Sequence, residues 1–124
     1  MTAHLKVVRA GLFDTLQDLG RIGFMALGMP TAGAMDRIGL GLANALAGNP
    51  TNTAALEIGV MGPDLLVEAD SVRVALVGPL SPSLIEGPDA SPKPLESDRS
   101  HLLKRGQTLR VGMVEGSSTA YLAV

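Results

Sequence analysis

The block from Gly28 to Gly59 limits the fold of this chain most, because it joins a Gly/Pro-rich loop, a helix with both end signals and a return to strand. The loop Gly28-Met29-Pro30-Thr31-Ala32-Gly33-Ala34-Met35-Asp36 carries few bulky side chains, so its backbone can approach a ligand or another strand and take positive φ at its glycines. Asp36 stands where an N-cap belongs, just before the periodic residues begin. Ile38, Leu42, Ala45 and Leu46 then recur on one face, with Arg37 and Asn44 as polar positions. Gly48-Asn49-Pro50 ends the run with a C′ glycine and a nearby proline. The pattern predicts one short amphipathic helix over about residues 37–47. Gly39 and Gly41 inside it each cost about 1 kcal/mol against alanine, which implies that something packs on the helix backbone.

The rest of the chain reads as short strands between turn signals. Leu5 to Arg9 and Phe13 to Leu16, separated by Ala10-Gly11, suit a short hairpin or a bent edge strand. Ala54 to Ile58, Leu65 to Ala69 and Ser71 to Val77 are expected to form a meander. Residues 79–100 are rich in proline and read as a loop, with Ser83-Leu84-Ile85 as its one candidate edge strand. Strand character returns at Leu102-Leu103, Thr108 to Met113 and Thr119 to Val124. One helix among many strands predicts a β-barrel or closed sandwich, not a βαβ fold, in a single domain over residues 1–124.

Composition sets the outer limits. A 124-residue chain that is 46% hydrophobic can bury a core. A net charge of −2 and 2% aromatic content leave neither a basic field nor a stacking platform for nucleic acid. The chain has no cysteine, hence no thiolate nucleophile or zinc-thiolate site, in keeping with a cytoplasmic protein. No metal site is expected, since His4 and His101 lack ligand-spaced partners and read as surface residues. The N-terminus lacks an apolar signal core, and no run approaches the ~20 apolar residues of a membrane span.

Four ordered blocks then point to a family. They are Gln17-Asp18-Leu19-Gly20-Arg21-x-Gly23, Gly28-x-Pro30-x-x-Gly33-Ala34-Met35-Asp36, Ala43-Asn44-x-Leu46-x-Gly48-Asn49-Pro50 and Ala55-Leu56-Glu57. They closely resemble the N-terminal half of the 5-oxoprolinase C-subunit family, also called KipA-like or allophanate hydrolase subunit 2, a carboxyltransferase module related to urea amidolyase. The resemblance runs on through Gly62-Pro63, Val74 to Gly78, Arg105-Gly106-Gln107-x-Leu109-Arg110-x-Gly112 and Ala120-Tyr121-Leu122-Ala123-Val124. It implies a cyclophilin-like β-barrel and a KipI-like partner subunit. It also implies work on a small amide: opening of 5-oxoproline, or carboxyl transfer to urea or an allophanate-like acceptor. ATP or carboxybiotin would enter only in the complete complex, with no cofactor bound by this chain alone. Family members continue into a second half of similar size, so an isolated chain is expected to be inactive. An edge left open by stopping at Val124 would invite a homodimer.

Such chemistry needs donors for a developing oxyanion and a group to handle an amide proton. The candidate catalytic residues are Asp36, Arg37 and Glu57; the candidate substrate-binding residues are Gln17, Arg21, Pro30, Gly33 and Ala34, the last two as a backbone anion nest. Each has a plainer role. Asp36 serves as an N-cap, Arg37 is solvated or paired, and Asp18 closes an Asx turn with Gly20. Glu57 faces solvent or is buried and paired, and Asn44 bonds the Pro30 loop. Two departures from the family pattern remove polar groups: Ala32 stands where a serine is usual, and Gly78-Pro79-Leu80 replaces Gly-Ala-Asp. Two functions therefore stand, an enzyme subunit or a non-catalytic binding or regulatory module of the KipA type.

Overall fold

The computed structural model describes residues 4–116 and 118–124. In chain order they form β1 (Leu5–Arg9), β2 (Leu12–Gln17), a 3-10 turn at Met25–Leu27, α1 (Arg37–Ala47), β3 (Ala55–Met61), β4 (Asp64–Val67) and β5 (Ser71–Val77). Then come β6 (Ser83–Ile85), β7 (Lys93–Pro94), β8 (Arg99–Lys104), β9 (Thr108–Arg110) and β10 (Ala120–Ala123). The strands make two five-stranded sheets, ordered β1-β4-β9-β6-β7 and β2-β3-β10-β5-β8. All pairings are antiparallel. The fold is mainly β with one α-helix, as expected.

Period-2 alternation explains how both faces of the second sheet are buried. Ile58, Val74, Leu76, Ala120 and Leu122 join Leu65, Val67, Leu84 and Leu109 of the first sheet in the main core. The alternate residues Ala55, Ala75, Val77, Tyr121 and Ala123 form a second cluster with Ala34, Leu40 and Ala43 around the helix. The helix bounds match the sequence reading, but its buried face does not. Ile38 is 85% exposed and Leu42 47%, while Gly39, Leu40, Ala43 and Asn44 are buried. Of the expected apolar stripe only Leu46 packs partly inward. The alanine-lined sheet face takes the helix through the small residues Gly39 and Ala43, with Leu40 and Asn44 the larger side chains buried beside them. A Cβ on Gly39 would lie 3.1 Å from Tyr121 Cε2, so this glycine permits the close approach, whereas a Cβ on Gly41 would meet only Thr51 Cγ2 at 3.6 Å.

Further expectations need correction. β1 and β2 lie in different sheets, so this segment is the bent edge strand and not the hairpin. The bend falls at Ala10-Gly11, with irregular register on both sides and Phe13 at φ 59°. β3, β4 and β5 are not a meander, because Gly62-Pro63 and Glu68–Asp70 are corners that carry the chain from one sheet to the other. The proline-rich segment contains strands. β6 is an interior strand between β9 and β7, and Pro94 sits on the edge strand β7, where a missing N–H is tolerated. β10 is not an open edge, since β3 and β5 flank it; among the described edge strands β2 carries the most exposed apolar side chains, with Phe13 and Leu16 each 75% exposed, and β1 exposes Val7 and Val8.

Candidate functional site

The Gln17–Arg21 turn and the Pro30–Asp36 loop cross each other backbone to backbone. Arg21 N–H donates to Thr31 O (2.6 Å) and Ala34 N–H donates to Asp18 O (2.9 Å). The crossing requires glycine at both contact points: Gly20 and Gly33 have φ of 91° and 88°, and a Cβ on Gly33 would sit 2.6 Å from Gly20 N. The turn itself is the expected Asx turn, with Gly20 N–H donating to Asp18 Oδ1 (2.8 Å), and Leu19 N–H bonds Asn52 Oδ1 (2.9 Å). Beside the crossing lies a cleft of about 330 Å³ lined by Gln17, Asp18, Gly20, Arg21, Thr31, Ala32 and Gly33 with Leu16 and Ala54. Of the candidate binding residues, it therefore gathers Gln17, Arg21 and Gly33. Pro30 contributes from outside by accepting from Arg21 Nε (3.3 Å). The proposed backbone nest is half spent, because the Ala34 N–H is committed to Asp18 O. Gln17 Nε2 bonds Thr15 Oγ1 (3.1 Å), which leaves its amide oxygen to accept from a ligand.

Asp36, Arg37 and Glu57 gather at a second place, where the loop enters α1. Asp36 caps the helix, its Oδ1 accepting from Gly39 N–H (2.9 Å). Glu57 is 8% exposed and its Oε2 accepts from both Met35 N–H (2.9 Å) and Tyr121 Oη (2.7 Å). Tyr121 Oη in turn accepts from Asp36 N–H (2.9 Å). Burial pushes the Tyr121 phenol up, with the neighbouring Glu57 adding to the effect, so the phenol stays protonated and is the donor in that pair. Glu57 is thus buried and paired, one of the two expected alternatives. Arg37 is exposed and makes no hydrogen bond or ion pair among the described residues. Sequence reasoning missed Tyr121. The signal was a phenol in the otherwise apolar Ala120-Tyr121-Leu122-Ala123-Val124, since a buried hydroxyl needs a partner.

Asn44 does not reach the Pro30 loop. Fully buried, it donates through Nδ2 to Thr51 O (3.0 Å) and Thr53 O (2.8 Å), closing the loop into β3. Leu80 is 8% exposed and bridges Val114, so a carboxylate there would be buried; Asp98 instead supplies one nearby, its Oδ1 accepting from Gly78 N–H (3.0 Å). Both histidines are paired at the surface, His4 with Glu68 and His101 with Glu96 O.

A larger concavity of about 760 Å³ lies between β1, β2 and β3, walled by Leu5, Val7, Leu16, Leu56, Leu65 and Leu122. Among the described residues the one ionisable side chain that lines it is Asp14, whose two carboxylate oxygens are buried without a hydrogen-bond partner there, and burial pushes that carboxyl up to about 6. Size alone would favour this groove. The smaller cleft is the better candidate site because guanidinium, amide and free backbone groups converge there. Among the described residues no three His, Asp or Glu side chains gather as metal ligands, and no helix is long and apolar enough to cross a membrane.

Residues 27–124, which include the Pro30 loop, the helix and every strand after it, match the family described as carboxyltransferase domain, subdomain A and B. The chain belongs to this family. Urea amidolyase of Saccharomyces cerevisiae is 30% identical over 122 residues, covering 97% of this chain and 6% of that protein. The 5-oxoprolinase C-subunit of Escherichia coli is 50% identical over 54 residues, covering 44% of this chain and 17% of that protein. The crystal structure of Kluyveromyces lactis urea carboxylase superposes with a TM-score of 0.82 at 32% identity, over 98% of this chain and 10% of that one. The chain therefore spans a small part of the length of these relatives. The fold shared with that structure covers the two sheets and the helix.

Proposed function

We propose that this chain is one part of a carboxyltransferase or 5-oxoprolinase-type assembly that handles a small amide such as 5-oxoproline, urea or an allophanate-like compound. The observation that carries the reading is the convergence of Gln17, Arg21 and Gly33 on one cleft, built by the two crossing loops that bear the family motifs. Arg21 uses Nε on Pro30 O, so its terminal nitrogens remain to grip a carboxylate or a polarised carbonyl. Gln17 Oε1 accepts an amide N–H, and Gly33 N–H adds a backbone donor toward the developing oxyanion. Arg37, four residues after Gly33, is exposed and without a partner among the described residues, and is suited to a charged group of substrate or partner.

The cleft does not fit ATP by itself, because a triphosphate needs several cationic donors and Arg21 is the one cationic side chain among the described residues of its walls. A single carboxylate, as on carboxybiotin, fits one guanidinium; when bound it would supply an activated carboxyl group. Completion of the site is assigned to the remainder of the assembly and to a KipI-like partner. The exposed apolar side chains of β2 and of the outer face of α1 are surfaces for such a partner or for a second copy to cover. A cytoplasmic setting accords with the absence of cysteine.

The regulatory reading has its own support: Ala32 removes a hydroxyl from the cleft wall, and Asp36 and Glu57 are both committed to hydrogen bonds that hold the backbone. Variants of the complete complex separate the two. Loss of a charge-assisted hydrogen bond is worth about 1.5–3 kcal/mol, so Arg21→Ala should lower kcat/KM for the amide at least about tenfold, with unchanged assembly. Gln17→Ala and Arg37→Ala should also lower it. Full activity in all three variants would remove these residues from the site.

A further inference from the structure

We propose that Tyr121 and Glu57 are positioning residues that set the backbone of Met35 and Asp36, and through it the guanidinium of Arg37, for the amide substrate. The inference rests on the functional reading above and adds a specificity-determining pair to it. Tyr121 on β10 and Glu57 on β3 stand directly opposite each other in register, both on the helix-facing side of the sheet. Together they clamp two consecutive backbone donors: Met35 N–H to Glu57 Oε2 (2.9 Å) and Asp36 N–H to Tyr121 Oη (2.9 Å). The clamp closes on itself through Tyr121 Oη donating to Glu57 Oε2 (2.7 Å).

A buried carboxylate opposite a tyrosine is more than a loop anchor requires. One backbone carbonyl, as Thr31 O serves Arg21 N–H, is enough to hold a turn. Here two interior strands present a charge-assisted pair to adjacent peptide groups, which fixes the direction in which the chain leaves the loop. Asp36 then caps the helix at Gly39 N–H (2.9 Å), and the Tyr121 ring lies against Gly39, so the first helical turn is held by the cap below and the ring beside it. Arg37, the next residue, is held by its backbone alone, and its aim depends on that turn. A hollow of about 280 Å³ is bordered by Met35, Asp36, Ser118 and Thr119, so a shift of the clamped backbone changes its wall as well as the direction in which Arg37 leaves the chain. Small displacements of an orienting group carry large kinetic effects.

The test uses the complete complex and kinetics with the amide substrate. Tyr121→Phe keeps the ring against Gly39 and removes only the hydroxyl; it should raise KM about tenfold with kcat nearly unchanged, and make the Asp36 amide exchange hydrogen faster. Glu57→Gln retains an oxygen for both donors and should stay within about threefold of wild type, whereas Glu57→Leu should match or exceed the Tyr121→Phe loss. A wild-type KM in Tyr121→Phe, or a loss in both kcat and KM that a stabilising temperature restores, would overturn the positioning role. A large fall in kcat for Glu57→Gln would also overturn it, by making Glu57 the proton carrier. Wild-type complex without amide turnover would overturn the functional reading and this role with it, an outcome distinct from turnover that is indifferent to Tyr121.

Discussion

Replacing Asp14 by asparagine should stabilise the protein at neutral pH and do little in acid. Both carboxylate oxygens are buried with no hydrogen-bond partner, in a corner where Phe13 takes φ 59° and the ladder between β2 and β3 slips register. Burial pushes the carboxyl from 3.8 to about 6, so the folded state binds its proton more tightly than the unfolded chain does. The sign follows: stability is greatest below the unfolded value of 3.8 and falls as pH rises through about 6. The gap between the two values corresponds to about 3 kcal/mol, and solvent screening at this partly exposed side chain reduces it to about 1–2 kcal/mol. For a domain of this size that is a rise in Tm of about 3–10 °C for Asp14→Asn near pH 7.5, shrinking toward zero near pH 4. Thermal melts of both proteins at the two pH values measure it. Equal Tm at neutral pH, or a larger gain in acid than at neutrality, would refute the reasoning.

Three further substitutions probe the helix and its loops, each by thermal or urea unfolding. Gly39→Ala should destabilise by about 1–3 kcal/mol despite alanine's better helix propensity, because its Cβ would meet Asp36 Oδ2 at 2.7 Å and the Tyr121 ring at 3.1 Å. Gly41→Ala, which meets only Thr51 Cγ2 at 3.6 Å, should stabilise by about 1 kcal/mol, and equal effects of the two would contradict the packing described. Asn44→Ala should cost about 2–4 kcal/mol by orphaning Thr51 O and Thr53 O, and a neutral result would show that water replaces the amide without loss.

The helix was legible to the residue because its signals are local: Asp36 accepts the cap hydrogen bond and Gly48 takes the left-handed C-cap conformation. Most strands were legible for the same reason, including Ser83–Ile85 inside the proline-rich segment, but β7 (Lys93–Pro94) and the start of β8 at Arg99 were not, because proline and charged residues there carry no apolar alternation. Partnership was not. Whether Leu65 pairs with Val7 or with a neighbour in sequence depends on corners such as Gly62-Pro63, which look like hairpin turns until the sheets are placed. The helix face was misread because bulk was equated with burial, whereas an alanine-lined sheet selects Gly39 and Ala43 and leaves Ile38 and Leu42 outside. The cleft residues Gln17, Arg21 and Gly33 could be named from motif blocks, but the Tyr121–Glu57 clamp could not, since it joins groups 64 residues apart that meet only when β10 enters between β3 and β5.

The central claim is that this chain works on a small amide as part of a larger carboxyltransferase or 5-oxoprolinase-type assembly. Its most direct test is to recover the protein with its natural partners from its own cell extract, identify them by mass spectrometry, and assay the eluate for ATP-dependent glutamate release from 5-oxoproline and for carboxylation of urea. The account predicts a KipI-like partner and turnover of one of these amides, lost on Arg21→Ala. A stable complex that turns over neither amide would contradict it and leave the regulatory reading.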